Sequence, residues 1–292
     1  MHVVSGPASL SLGREVAEQL NIETIAVEFK NFPDGETYIR FTTSPKGKDV
    51  TIVQSTGPPQ DTHMLQLLFL IKTAKELGAK SVTAVTPYFA YARQMRRSRE
   101  GECVSAKGVI ELIESAGADK FVTLNIHALE ILEWFNIPIM NLSAVPLLMK
   151  YLKQEGWGGA YAFAPDDGAL PLAKEAEKIL EGGCGYLKKE RDVVTGKLKI
   201  CEDDFNVKDK DVVVIDDIIS TGATTQAAIN VLKKQKANKI YVAVVHPIFV
   251  EGAFEKIMSA GAEGIIGTNS IPDKVNSISI APLICEALEK FV

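Results

Sequence analysis

The chain has no excess of positive charge. Its 292 residues include 32 Lys and Arg against 37 Asp and Glu, which gives a formal net charge of −5. A protein that binds nucleic acid nonspecifically needs a basic face that displaces the counterions of the phosphates. This charge balance therefore argues against a nucleic-acid partner, and any site for an anionic ligand must be local.

Long apolar runs and paired cysteines are also absent from the sequence. No apolar run approaches the ~20 residues that a membrane span needs, and residues 1–12 have no basic region ahead of an apolar core. The four cysteines are scattered without a C-x-x-C pair, so neither a zinc site nor a disulfide framework is indicated. We therefore expect a soluble, cytoplasmic protein with reduced cysteines and no membrane partner.

The segment from Asp211 to Thr225 carries the strongest functional signal in the chain. It reads DVVVIDDIISTGATT, in which the apolar run 212–215 predicts a central strand of a parallel sheet. Asp216 and Asp217 are expected where that strand leaves the sheet, ahead of a hydroxyl-rich turn and a helix from residue 226. Small residues and a helix N-terminus favour a phosphate in the turn. The aspartates would repel a phosphate and suit sugar hydroxyls or a hydrated cation.

Two alternatives exist for this segment, and a resemblance favours the phosphate site. The aspartates could merely close the strand while the turn caps a helix. They could also form the Walker B half of an NTPase, but no G-x-x-x-x-G-K-[ST] sequence occurs in the chain. The segment resembles the phosphoribosyl-pyrophosphate loop of type I phosphoribosyltransferases and of ribose-phosphate pyrophosphokinases. This resemblance implies that ribose 5-phosphate is bound by Asp216, Asp217, Ser220, Thr221, Gly222, Ala223 and Thr224.

The chain also contains an internal repeat. Residues 48–53 (KDVTIV) match residues 210–215 (KDVVVI), and each run continues through a helical stretch into a second strand. We predict an α/β protein with two tandem domains, 1–143 and 144–292, each a mainly parallel sheet flanked by helices. The resemblance implies that both are type I phosphoribosyltransferase-like. The first copy carries QSTGPP at 54–59 without an acid pair, so we expect the sugar phosphate only in the second.

Two segments of the first domain are predicted to bind a nucleotide. Residues 31–36 (NFPDGE) predict a hairpin turn with an aromatic ring beside two acids, although a plain turn is the alternative. Residues 93–99 contain four arginines, whose planar guanidinium groups suit polyphosphate oxygens, with a solvated loop as the alternative. Both segments resemble the ATP-binding segments of ribose-phosphate pyrophosphokinases, F-x-D-G-E and Y-A-R-Q. That resemblance implies ATP contacts from Phe32, Asp34, Gly35, Glu36, Arg93 and Gln94.

Three further motifs bear on metal binding and catalysis. N-I-H-A at 125–128 and P-D-D-G at 165–168 each follow a predicted strand, but a lone His is often structural and Asp-Gly alone is a turn. The same family resemblance implies that His127 and Asp166 bind magnesium. On an extended backbone alternate residues face one way, so Lys189 and Arg191 could address one phosphate chain, or form only a charged hairpin tip. K-E-R resembles the family's catalytic flexible loop, which implies catalytic roles for both residues and a ribose 5-phosphate contact from Arg191.

Five motifs in the same order make the chain resemble ribose-phosphate pyrophosphokinases over nearly its whole length. The implied reaction transfers the diphosphoryl group of MgATP to the 1-hydroxyl of ribose 5-phosphate, giving 5-phosphoribosyl 1-pyrophosphate and AMP. The resemblance also implies a homo-oligomer, dimeric or larger. The alternatives are a phosphoribosyltransferase, which would release diphosphate without using ATP, and a catalytically silent regulatory paralogue.

Overall fold

A computed structural model describes residues 1–191, 198–200, 205–272 and 275–291, with the backbone alone described at 189–191, 198–200 and 276. By the contacts between its residues the chain divides into two compact units. Unit 1 comprises Met1–Ser143, Asn269–Pro272 and Ser279–Val292, and unit 2 comprises Ala144–Thr268 and Asp273–Ile278. Within the described residues, no helix combines the length and the apolar character that a bilayer crossing requires.

Unit 1 is built on a five-stranded parallel sheet with the strand order β1-β4-β5-β6-β7. Strands β2 and β3 form a separate antiparallel hairpin. In chain order the elements are β1 (His2–Ser5), α1 (Leu10–Gln19), β2 (Val27–Asn31), β3 (Thr37–Phe41), β4 (Asp49–Val53), α2 (Gln60–Glu76), β5 (Ser81–Thr86), α3 (Ser105–Ala116), β6 (Lys120–Leu124) and β7 (Ile139–Leu142).

One face of this sheet forms the main core of unit 1. Val50, Ile52, Val82 and Ala84 alternate along β4 and β5, and they are buried in one cluster with the apolar faces of α2 and α3. The other face carries the intervening residues, among them Thr51 and Thr83. Parallel sheets typically bury side chains on both faces, which explains the near-continuous apolar runs of these strands.

Unit 2 is built on a six-stranded parallel sheet with the strand order β15-β14-β13-β12-β8-β9, and a separate antiparallel hairpin pairs β10 with β11. In chain order the elements are α4 (Val145–Leu152), β8 (Tyr161–Ala164), α5 (Leu170–Leu180), β9 (Cys184–Tyr186), β10 (Lys189–Arg191), β11 (Leu198–Ile200), β12 (Val212–Ile219), α6 (Ala223–Lys234), β13 (Ile240–Pro247), α7 (Ala253–Ala260), β14 (Gly264–Thr268) and β15 (Asn276–Ile278). The last helix, α8 (Ala281–Lys290), belongs to unit 1.

The two sheets repeat one topology. The order β1-β4-β5-β6-β7 in unit 1 corresponds to β8-β12-β13-β14-β15 in unit 2, and β9 is an additional edge strand. Both α3 and α7 end at a glycine with positive φ, 108° at Gly117 and 109° at Gly261, followed by the next strand of the sheet. The prediction of an α/β fold with two copies of a helix-flanked parallel sheet is confirmed.

The compact units are not two continuous segments. The thiol of Cys285 on α8 lies 3.8 Å from the carbonyl oxygen of Val16 on α1, so the end of the chain packs within unit 1. The domain limits 1–143 and 144–292 remain a prediction about the repeat.

Candidate active site

Asp216 and Asp217 lie within β12. Asp216 is opposite Val244 of β13, and the pairing continues to Ile219, whereas β8 pairs with β12 only as far as Val214. The expectation that the strand leaves the sheet at the aspartates is therefore wrong. Because β13 is also eight residues long, it supplies main-chain partners to β12 beyond the acid pair.

A third carboxylate, that of Asp166, follows β8 in the same unit. Its Oδ1 accepts a hydrogen bond of 3.4 Å from the N–H of Ala169, just before α5 begins. Burial raises the pKa of Asp216 well above its usual value, and the negative charges of Asp217 and then Asp166 add to the effect. The fold thus gathers three carboxylates that are far apart in the sequence, and their mutual repulsion disfavours the ionised form of Asp216.

This donor set suits a hydrated divalent cation. In the described part of the chain, no three His, Cys, Asp or Glu side chains are grouped so that they could hold a metal ion by themselves. Magnesium in phosphate-handling sites commonly takes one or two carboxylates and completes its shell with water and substrate oxygens. The carboxylate oxygens near Asp216 fit such a partial site, and a bound cation would relieve the repulsion among them.

The turn after β12 has the geometry of an anion site. Helix α6 begins at Ala223, earlier than the predicted residue 226, so Ala223 and Thr224 belong to its first turn. Gly222 precedes the helix with φ at 76°, and no side chain makes a capping hydrogen bond there. The first N–H groups of a helix have no intrahelical acceptor, and the helix dipole adds positive charge at that end. The turn can therefore bind a phosphate through its backbone.

The turn is held in place from behind by unit 2 itself. A Cβ atom at Gly222 would lie 3.3 Å from both the Cβ and the carbonyl oxygen of Ala253 on α7, so only glycine fits comfortably. The carbonyl oxygens of Ile219 and Ser220 accept hydrogen bonds of 3.0 Å from the N–H groups of Phe249 and Val250. Sequence reasoning did not single out this second support, because 249–250 follow a different strand.

The hydroxyl groups of the turn remain available to a ligand. Ser220, Thr221 and Thr224 are each partly exposed. No hydrogen bond joins their side chains to another residue that the structure describes.

The aromatic segment forms the tip of the β2–β3 hairpin, as predicted. The Phe32 side chain is 42% exposed, and its ring meets the edge of Tyr38 at a centroid distance of 5.9 Å. The tip is closed by a 2.9 Å hydrogen bond from Gly35 N to Phe32 O and by one of 3.2 Å from Glu36 N to Asp34 Oδ1. A supported but exposed ring of this kind can stack on a nucleobase.

Arg93 and Gln94 follow β5, and both are exposed. The N–H of Gln94 donates to Tyr91 O at 2.9 Å, and its Oε1 accepts a 2.5 Å hydrogen bond from Ser105 Oγ on α3. The Tyr91 hydroxyl donates to Asp61 in the first turn of α2, and that hydrogen bond raises the pKa of Tyr91. Sequence reasoning missed these supports, because Asp61 and Ser105 lie on other elements.

His127 follows β6 and is exposed. The strand ends at Leu124, and the chain then turns at Asn125, whose φ is 38°. The side-chain oxygen of Asn141 on β7 accepts a 3.0 Å hydrogen bond from Ile126 N, which fixes the backbone beside the histidine. The site residues predicted in unit 1 therefore follow the carboxyl ends of its strands or lie on its separate hairpin.

Lys189 and Arg191 lie on β10, opposite Ile200 and Leu198 of β11. The extended backbone expected for the K-E-R segment is present. The side chains of both residues lie outside the described part of the structure, as do residues 192–197.

Comparison with families of known proteins gives two matches along the chain. Residues 1–117 match the family model of the N-terminal domain of ribose phosphate pyrophosphokinase. Residues 153–254 match the phosphoribosyl transferase domain. The two matches fall in the two copies of the repeat.

Whole-length relatives and a solved structure agree with these matches. The ribose-phosphate pyrophosphokinase of Methanothermobacter thermautotrophicus is 44% identical over 290 residues, covering 98% of this chain and 99% of the relative. That of Methanobrevibacter smithii is 43% identical over 296 residues, with 98% and 99% covered. The crystal structure of phosphoribosylpyrophosphate synthetase from Mycobacterium smegmatis superposes with a TM-score of 0.90 at 29% identity, covering 100% of this chain and 98% of the other.

Proposed function

Because the chain belongs to the ribose-phosphate pyrophosphokinase family, we propose that it transfers the diphosphoryl group of ATP to the 1-hydroxyl of ribose 5-phosphate. The products are 5-phosphoribosyl 1-pyrophosphate and AMP. Enzymes that act on ATP generally need a divalent metal, and we propose Mg²⁺ here, since the available donors are mainly oxygens.

Ribose 5-phosphate binds in unit 2. The turn 220–224 and the first turn of α6 receive the 5-phosphate on backbone N–H groups and on the hydroxyls of Ser220, Thr221 and Thr224. Asp216 and Asp217 accept hydrogen bonds from the ring hydroxyls. Arg191 adds a charged contact to the same substrate. An uncapped helix start beside an acid pair carries this assignment, because it suits a molecule with one phosphate and several hydroxyls.

ATP binds through the segments of unit 1. Phe32 stacks on the adenine, with Asp34, Gly35 and Glu36 lining the same hairpin tip. Arg93 and Gln94 contact the polyphosphate, and Gln94 is held by its hydrogen bonds with Tyr91 and Ser105. His127 and Asp166 are the proposed magnesium ligands.

The chemistry consists mainly of positioning and charge stabilisation. Mg²⁺ bound with ATP would neutralise charge on the phosphate oxygens. Lys189 and Arg191 stabilise the charge that develops on the transferred group as the bond to AMP breaks. The turn of unit 2 holds the sugar so that its 1-hydroxyl meets the β-phosphorus, which converts a bimolecular encounter into an oriented reaction.

Measurement of AMP formation tests this function. The full chain with ATP, Mg²⁺ and ribose 5-phosphate should form AMP, and omission of ribose 5-phosphate should abolish it. A phosphoribosyltransferase would instead release diphosphate from 5-phosphoribosyl 1-pyrophosphate and a base without ATP. A regulatory paralogue would do neither.

We also propose that the chain forms a homo-oligomer in the cytoplasm, as the family resemblance implies. Light scattering coupled to size-exclusion chromatography tests the assembly, since a monomer mass at micromolar concentration would contradict it. Fractionation of the source cells tests the location.

A further inference from the structure

A cavity of about 300 Å³ lies in unit 1 at the amino ends of β4, β5 and β6. Arg93 and Gln94 follow the opposite, carboxyl end of β5, and no residue assigned to ATP lines this cavity. Its lining includes the apolar side chains of Met1, Leu288 and Phe291, together with the polar residues Asp49, Thr51, Lys80, Ser81, Thr83 and Lys120. A mixed apolar and polar lining around a volume of this size suits a small molecule that has both an apolar part and a polar group.

The polar groups form a row across three adjacent strands. Thr51 of β4 is in register with Thr83 of β5, and Thr83 is in register with Lys120 of β6. Register partners in a parallel sheet project from the same face, so two hydroxyls and an ammonium group lie side by side in the cavity wall. Thr51 is 1% exposed and Thr83 is 8% exposed. Neither hydroxyl is hydrogen-bonded to another described residue.

Three cationic groups line the cavity, the α-amino group of Met1, Lys80 and Lys120, and the first two act on the Asp49 carboxylate. Lys80 is paired with Asp49 at 3.3 Å, and the same carboxylate accepts a 2.6 Å hydrogen bond from Ser81 Oγ. The Lys120 ammonium donates to the carbonyl oxygen of Phe291, which uses one of its three protons. An ammonium beside two hydroxyls favours an anion with one negative charge, whereas the nearby Asp49 disfavours a dianion.

In unit 2, aromatic side chains occupy the position that corresponds to the cavity of unit 1. The corresponding row there is Val213, Tyr241 and Gly264, again in register. The Tyr241 ring covers Gly264, where a Cβ atom would lie 2.6 Å from it, and Trp157 packs against the ring at 5.0 Å. Two copies of one sheet therefore differ here, since one has an apolar, aromatic-filled layer and the other has a hollow lined by Thr51, Thr83 and Lys120.

We propose that this cavity is a binding site for a small organic carboxylate, with the carboxylate on Lys120 and the two hydroxyls and its apolar part against Met1, Leu288 and Phe291. The inference does not depend on the proposed reaction, because none of the residues assigned to ATP, ribose 5-phosphate or magnesium lines the cavity.

Fluorine NMR with 4-fluorobenzoate as the probe tests the site on the full chain. The wild-type protein should broaden the fluorine resonance saturably, with a Kd on the order of 1 mM for a ligand of so few atoms. Lys120→Met should weaken binding at least tenfold, because it removes the cation and keeps the chain length. Thr83→Tyr, which copies the filled arrangement of unit 2, should abolish the saturable broadening.

Two further variants control for folding and for binding elsewhere. Lys107→Met removes a lysine on α3 that lines a different cavity, and it should bind the probe like the wild type. Thr51→Val, which installs the residue type of Val213, gives a second test if Thr83→Tyr does not fold. The site is refuted if the wild type shows no saturable broadening up to about 20 mM probe. It is also refuted if Lys120→Met, or a folded Thr83→Tyr or Thr51→Val protein, binds the probe with wild-type affinity.

Discussion

The same tripeptide, Ser-Thr-Gly, follows the central strand in both halves of the repeat, but it has opposite surroundings. In unit 1, Ser55 and Thr56 are fully buried. Thr56 Oγ1 donates to Tyr88 O at 2.9 Å and accepts from Ala90 N at 2.8 Å, and Ser55 Oγ donates to Ser270 O. In unit 2 the equivalent hydroxyls are partly exposed, and no described residue accepts from them. One turn uses its hydroxyls for hydrogen bonds within the fold, and the other leaves them partly exposed, as our proposed phosphate site requires.

The residue that directly follows the matching runs 48–53 and 210–215 shows the same difference. Gln54 is fully buried, accepts a 3.0 Å hydrogen bond from Ala8 N and donates one of 3.2 Å to His63 O, so its neutral amide is satisfied within the fold. At the matching position, Asp216 is a carboxylate whose pKa is raised by burial and by the neighbouring carboxylates of Asp217 and Asp166. One unit thus has a turn whose polar groups are satisfied within the fold, and the other has a turn with accessible hydroxyls that follows a carboxylate of raised pKa.

The largest expected effect comes from the β10–β11 hairpin, which lies between β8 and β12 as the β2–β3 hairpin lies between β1 and β4, but which carries Lys189 and Arg191. Lys189→Ala is expected to lower kcat about 10²–10³-fold, as loss of one charge-stabilising donor does in other enzymes. The KM for ribose 5-phosphate should change little, because the lysine acts on the transferred group. Steady-state AMP formation at saturating and varied ribose 5-phosphate separates the two effects.

Lys188→Ala is the matched control, since it removes an exposed lysine one position earlier in the chain. It should keep kcat within about threefold of the wild type, because we assign no substrate contact to Lys188. Near-normal turnover of Lys189→Ala would exclude Lys189 from the catalytic role.

A paired substitution at the second residue of the tripeptide tests the comparison directly. Thr221→Val should raise the KM for ribose 5-phosphate about tenfold, because it removes a hydroxyl that we propose binds the charged phosphate, and it should leave stability unchanged. Thr56→Val should lower the free energy of unfolding by about 1–3 kcal/mol, because the buried N–H of Ala90 loses its acceptor, and it should leave that KM unchanged. Kinetics and urea denaturation on both variants provide the readouts.

If the two variants exchanged their effects, the proposed difference in function between the two turns would be wrong. If Thr56→Val raised the KM and Thr221→Val lowered stability, the buried turn of unit 1 would be part of the substrate site. Equal effects of the two variants on both quantities would mean that the turns are not specialised.

Local sequence patterns predict the fold well, but they do not predict the hydrogen bonds that hold the site residues in place. The matching runs at 48–53 and 210–215 predicted the repeat correctly, because buried parallel strands are read from short apolar segments. The end of β12 was misplaced, because its length is set by pairing with β13, and no local signal reports that. The hydrogen bonds that hold Gln94 and the turn at Ser220 come from elements distant in the chain, so only the tertiary structure reveals them.

The smallest expected effect is on stability and concerns Asp216. Asp216→Asn gives unit 2 an amide where unit 1 has Gln54, and in the absence of metal and substrate it should stabilise the protein by about 1 kcal/mol at neutral pH. The folded protein holds the Asp216 proton more tightly than the unfolded chain does, because burial and neighbouring carboxylates raise the pKa. This tighter proton binding contributes to the free energy of unfolding of the wild type. The contribution is fully present below the pKa of about 3.9 in the unfolded chain, and it is lost as the pH rises through the pKa in the folded protein.

The stabilisation by Asp216→Asn should therefore be absent near pH 4 and grow as the pH rises, as measured by urea denaturation in the presence of EDTA. Glu263→Gln, which neutralises an exposed carboxylate of the same unit, should leave stability unchanged at every pH. A constant difference between wild type and Asp216→Asn across the pH range would mean that Asp216 is ionised at no cost in the folded state. The repulsion that distinguishes the two turns would then not exist, because the charge of Asp216 would already be compensated within the protein.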